Sequence, residues 1–108
     1  MKELIASAMV LAALSAPASA GGLTATVTHA KPAYGDKYSI LVVVDNQTND
    51  SFKWTQWSCI FYSNGQIVGQ DRIYVDNNES GKQSAKSTYV KSFKPFDKSE
   101  CRLTETER

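Results

Sequence analysis

The side chains in this 108-residue chain whose types could do chemistry are few: Cys59, Cys101 and one histidine, His29. The cysteines stand far apart and form no Cys-x-x-Cys, so a thioredoxin-type redox role has no support. In an oxidising compartment, two cysteines in a small domain are expected to pair. The bridge would close a loop of about 43 residues, for which loop entropy gives about 4 kcal/mol. His29 is the one imidazole available to a Ser-His-Asp triad, and no Gly-x-Ser-x-Gly surrounds any serine. One histidine and two bridged cysteines do not build an ordinary zinc site. Neither Gly-x-x-x-x-Gly-Lys nor Gly-x-Gly-x-x-Gly occurs. Asp76, Asn77, Asn78 and Glu79 could offer oxygens to calcium, but without the spacing of a known loop; a plain turn is expected there. The sequence predicts a protein that is not an enzyme, with no catalytic residues, cofactor or metal.

Residues 1–20 indicate the compartment. Lys2 gives a short basic start, Leu4 to Leu14 is mostly apolar, and Pro17 precedes Ala18-Ser19-Ala20. That is the order of a secretory signal peptide with a small-x-small cleavage site, so a mature chain beginning at Gly21 is expected. The apolar run is too short to span a bilayer, and no second run follows. Residues 21–108 then form one domain in the periplasm or outside the cell. Lysine plus arginine number 12 and aspartate plus glutamate 11, a net charge of +1. This balance gives no electrostatic case for nucleic acid or a membrane surface.

The elements that must position these residues read as strands. Leu23 to His29 alternates apolar residues with threonines, ahead of a turn over Lys31 to Asp36. Tyr38 to Asp45 is apolar on both faces, the mark of a central strand. Phe52 to Tyr62 carries Phe52, Trp54, Trp57, Phe61 and Tyr62. Asn64-Gly65 signals a hairpin into Gln66 to Val75. Ser84 to Phe93 alternates weakly, as an edge strand would, and Cys101 to Thr106 is the last strand. Short strands at this spacing, with turn residues between, predict an all-β fold: a small immunoglobulin-like antiparallel β-sandwich with the disulfide Cys59–Cys101.

The hairpin register decides which residues share a face. A three-residue loop, Ser63-Asn64-Gly65, pairs Tyr62 with Gln66. It puts Trp57, Cys59, Phe61, Ile67, Gly69 and Ile73 together on the core side, with Trp57 covering the disulfide. The opposite face then holds Trp54, Ile60, Tyr62, Val68 and Tyr74 among Gln56, Ser58, Gln70 and Arg72. Either a second sheet covers that face, or Trp54, Tyr62, Tyr74 and Arg72 form a patch of the residue types favoured at protein contacts. Asn46-Gln47-Thr48, Asn49-Asp50-Ser51 and Asn78-Glu79-Ser80 fit the glycosylation pattern, but the short, alanine-rich leader looks bacterial, and there they are turn residues.

At Leu41 to Thr48, at Cys59 to Gly65 and at Ser80-Gly81-Lys82, the chain resembles small exported bacterial domains of the FxLYD kind. The resemblance covers about Tyr38 to Tyr89, although the Leu-Tyr-Asp element is absent. It implies an immunoglobulin-like sandwich and no enzyme activity. The function expected is an exported, non-catalytic interaction module for an extracytoplasmic protein or ligand, with Trp54, Tyr62, Tyr74 and Arg72 as its binding face. The alternative is an inhibitor of an extracytoplasmic enzyme such as a lysozyme, presenting the loops Asn46 to Ser51 and Asp76 to Gln83.

Overall fold

The computed structural model describes residues 21–108; the signal peptide expected over residues 1–20 lies outside them. Six strands follow in chain order: β1 (Leu23–Tyr34), β2 (Lys37–Asn46), β3 (Phe52–Ser63), β4 (Gln66–Asn78), β5 (Gln83–Lys91) and β6 (Lys98–Glu107). They form two three-stranded antiparallel sheets, in the orders β1-β2-β5 and β4-β3-β6. This is a sandwich with crossed, Greek-key connections, the immunoglobulin-like order in which the second strand pairs with the fifth and the third with the sixth.

The doubly apolar strand is central, as its pattern predicts: β2 lies between β1 and β5. Its inward residues Ile40, Val42 and Val44 are buried. Outward Leu41 and Val43 are half-buried, each flanked across the strands by small residues: Thr28 and Ser87 beside Leu41, Thr26 and Ala85 beside Val43. The core closes against Trp57, Cys59, Phe61, Ile73 and Val75 from the facing sheet. β1 runs on to Tyr34 through the segment the sequence marks as a turn, absorbing the irregularity as register shifts between Thr28 and Lys31 and between Pro32 and Tyr34. The chain reverses at Gly35, whose positive φ of 55° suits a residue without a Cβ.

Cys59 and Cys101 are bridged and lie directly opposite each other, β3 to β6, so the disulfide staples two neighbours of one sheet. Both cysteines are buried, and so is Trp57 two residues away on the same face. Its indole N–H donates to Thr55 Oγ1 at 2.8 Å, which meets a buried polar group that sequence patterning does not reveal.

The hairpin differs from the expected register. Its loop is the two-residue Asn64-Gly65, with φ of 51° and 80°, and Ser63 pairs with Gln66. The shift that brings the apolar residues inward comes instead from a bulge on β4, where Phe61 faces Gly69 and Tyr62 faces Ile67. Val68 is the extra residue and turns into the core, while Ile67 is 57% exposed. Trp57, Cys59, Phe61, Gly69 and Ile73 share the inner face as expected; Ile67 and Val68 exchange places. Gly69 also lets β5 approach: a Cβ there would overlap the Lys91 carbonyl oxygen and sit 2.8 Å from Ser92 Cα. The Phe93 N–H donates to the Val68 carbonyl at 3.1 Å, and the Lys91 N–H to Asp71 Oδ2 at 3.0 Å, closing this side of the sandwich.

Candidate functional site

The pleat of β3 sends alternate side chains to opposite faces. Trp57, Cys59 and Phe61 face the core, so Trp54, Gln56, Ser58, Ile60 and Tyr62 face away from it. The neighbouring strands complete five cross-strand rows on this outward face. These are Asp76–Trp54–Glu107, Tyr74–Gln56–Glu105, Arg72–Ser58–Arg102, Gln70–Ile60–Glu100 and Ile67–Tyr62–Lys98. The four residues singled out from the sequence thus share one face, and no second sheet of the described residues covers it. Trp54 and Tyr62 are half-buried; Arg72 and Tyr74 are exposed, Tyr74 at 45%.

The rings are held by neighbours on the same face. Trp54 and Tyr74 meet edge-to-face at 5.9 Å. The Trp54 indole N–H donates to Glu107 Oε1 at 3.0 Å. The Tyr62 hydroxyl donates to Glu100 Oε1 at 2.8 Å, and Lys98 Nζ lies 5.6 Å from the centre of the Tyr62 ring. The hydrogen bond to the Glu100 carboxylate, with some burial, raises the Tyr62 pKa above its ordinary 10.0. Rings fixed before binding lose less side-chain entropy on contact, so this face is preorganised. Between the aromatic rows, Arg72 and Arg102 flank Ser58, and neither guanidinium has an ion-pair partner among the described residues. Arg102 does not emerge from the sequence reading. Its place follows only from the structure: with Cys59 and Cys101 directly opposite on neighbouring strands, Ser58 falls opposite Arg102, whereas a disulfide read from sequence could equally have joined the two sheets.

The two loops proposed for an inhibitor meet at one end of the sandwich. Asn46 is fully buried and joins them: its Nδ2 donates to the carbonyls of Asp50 and Asn78, each at 2.9 Å. Its Oδ1 accepts from the Thr48 N–H at 2.9 Å and from Thr48 Oγ1 at 2.6 Å. The Gly81 N–H donates to the Asn46 carbonyl, and Ser80 Oγ donates to the Thr48 carbonyl at 2.5 Å. Asn78 is buried too, with its amide donating to the Val75 carbonyl at 2.7 Å. Of the three sequons, only Asn49 is exposed.

The remaining chemical candidates do not gather. Asp76 faces outward, Asn78 points inward, and Glu79 pairs with Lys82 at 3.1 Å. His29 falls in β1 where the pairing with β2 shifts. Among the described residues, no three His, Cys, Asp or Glu side chains form a group that could hold a metal ion, and no helix is long and apolar enough to cross a membrane. A shallow groove lined by Asp36, Ile67, Val68, Gly69, Gln70, Lys91, Ser92 and Phe93 follows the β4–β5 closure. In comparison with known proteins, the chain matches no family model, no curated protein and no solved structure.

Proposed function

We propose that this protein is an exported, non-catalytic interaction module, acting in the periplasm or outside the cell after loss of residues 1–20. Its contact surface is the outward face of the β4-β3-β6 sheet. The observation that carries the reading is the placement of Trp54, Tyr62, Tyr74 and Arg72 on one uncovered, preorganised face. Tryptophan, tyrosine and arginine dominate the energetics of protein contacts, and a rigid β-sheet presents them with little reorganisation. The resemblance to exported FxLYD-kind domains accords with such a role. The test is affinity capture from an extracytoplasmic extract, comparing the wild type with Trp54→Ala/Tyr62→Ala after checking fold and disulfide. A partner held by the wild type and lost by the variant supports the reading; a partner held equally by both counts against this face.

The second reading, an inhibitor of an enzyme such as a lysozyme, draws on the hydrogen-bonded tip around Asn46. A tip braced in this way could enter a cleft without ordering itself first. Undiminished lysozyme activity at micromolar protein would count against it.

A further inference from the structure

β6 is the outermost strand of its sheet and pairs with β3 alone. Cys59 and Cys101 face each other with Cα atoms 4.1 Å apart, the close spacing of a non-hydrogen-bonded pair in an antiparallel ladder. At such a pair the backbone N–H and C=O point away from the partner strand. The ladder groups of Cys101, and of Ser99 and Leu103 two residues either side, therefore point out of the free rim. Their side chains face the core, where Ser99 and Cys101 are buried and Leu103 is half-buried. None of the three has a backbone hydrogen bond to another described loop or turn. An unpaired edge of this kind is a template for another strand.

We propose that the strand it accepts is β6 of a second copy, antiparallel, about a two-fold axis through Cys101. Charge complementarity and length of overlap together favour this register: an axis at Ser99 would also oppose unlike charges, Lys98 to Glu100, but would pair only residues 98–100 of β6. With the axis at Cys101, Ser99 faces Leu103 of the second copy. Glu100 then faces Arg102 of the second copy, twice over, at the close-spaced positions where side chains meet. Moving the axis by one residue sets Glu100 against Glu100 or Arg102 against Arg102. Placing it between residues would turn core-facing side chains to solvent. The partners at hand fit: Arg102 has no ion pair among the described residues, and Glu100 is already steadied by Tyr62 and Lys98. Charged residues on an edge ordinarily discourage pairing, but here the signs alternate over Lys98, Glu100 and Arg102, so that the register about Cys101 escapes the repulsion while pairing the longer stretch of β6. The product is a continuous six-stranded sheet carrying two copies of the outward face. The interface is small, so association at micromolar or weaker concentration is expected.

The experiment is sedimentation equilibrium of the disulfide-bonded protein, with circular dichroism confirming the fold of each variant. The wild type is expected to form dimers. Arg102→Glu or Glu100→Arg should raise the dimer dissociation constant by about tenfold or more, through two like-charge contacts each. The double variant Glu100→Arg/Arg102→Glu should restore dimers, and an equimolar mixture of the two single variants should form heterodimers. Wild type that stays monomeric to about 0.5 mM would overturn the proposal. So would dimers indifferent to the single reversals, or a double variant that fails to recover. The outcome is separable from the binding-face reading, which is scored on partner capture by Trp54→Ala/Tyr62→Ala.

Discussion

Replacing both cysteines, Cys59→Ala/Cys101→Ala, tests how much of this small domain's stability rests on its staple. The sequence separation of 42 sets the entropy that the bridge removes from the unfolded chain. The loop-closure relation gives about 4 kcal/mol at room temperature. The folded side should change less, because β3 and β6 are paired along their length and the alanines keep the pleat. The lost sulfur atoms leave a small buried void beside Trp57, adding about 1 kcal/mol. The expected loss is therefore about 5 kcal/mol, a large part of what a domain of this size possesses. Equilibrium urea denaturation, followed by tryptophan fluorescence, measures it. The uncrosslinked variant should also show a larger m-value, since its unfolded ensemble exposes more surface. A loss below about 1 kcal/mol with an unchanged m-value would refute the reasoning. It would mean that the unfolded chain already holds β3 and β6 together.

Three further perturbations probe separate parts of the molecule. Gly69→Ala should destabilise by about 2 kcal/mol or more, because the new methyl meets the Lys91 and Ser92 backbone; chemical denaturation will show it. Asn46→Ala strips four hydrogen bonds from a buried amide and leaves the Asn78 carbonyl short of a donor. A loss of about 3 kcal/mol in urea is expected, with faster amide exchange across residues 46–51 and 78–82. Tyr62 should ionise at higher pH than an unperturbed phenol by ultraviolet difference titration, and Glu100→Gln should bring it down. Because the folded-state pKa is raised, the stabilisation from this contact is present below the unfolded value of 10.0 and is lost as pH rises through the folded one.

The strand pattern was legible because each element carries its own signal. β2 is apolar on both faces and lies in the middle; β5 alternates weakly and lies at an edge. The disulfide followed from two cysteines in a small domain expected to meet an oxidising compartment. The hairpin shows where such reading stops. A three-residue loop and a two-residue loop followed by a bulge both bring Trp57, Cys59 and Phe61 to the core; they differ in whether Ile67 or Val68 points inward, and they shift the β4 partners by two residues, so that Trp57 faces Ile73 rather than Asp71. The choice rests on the packing of Val68 against the other sheet and on the close approach of β5 at Gly69, contacts distant in sequence. The polar network around Asn46 and Asn78 was hidden for a related reason: each reads as a turn asparagine until the two loops are brought side by side. The proposed contact face was partly visible. Its β3 and β4 members follow from alternation, whereas Arg102 and Glu100 come into place only once the register of β6 is set at the disulfide, and Glu107 only through the register shift between Gln56 and Trp57.

The β4-β3-β6 face is tested by quantitative capture of extracytoplasmic partners by wild type, by Trp54→Ala/Tyr62→Ala, and by a control altered on the outward face of the other sheet, Thr26→Ala/Ser87→Ala. A partner retained by wild type and control and lost from the first variant is expected, with all three equally folded and disulfide-bonded. Equal retention by all three, or loss from the control alone, would contradict the proposed contact face.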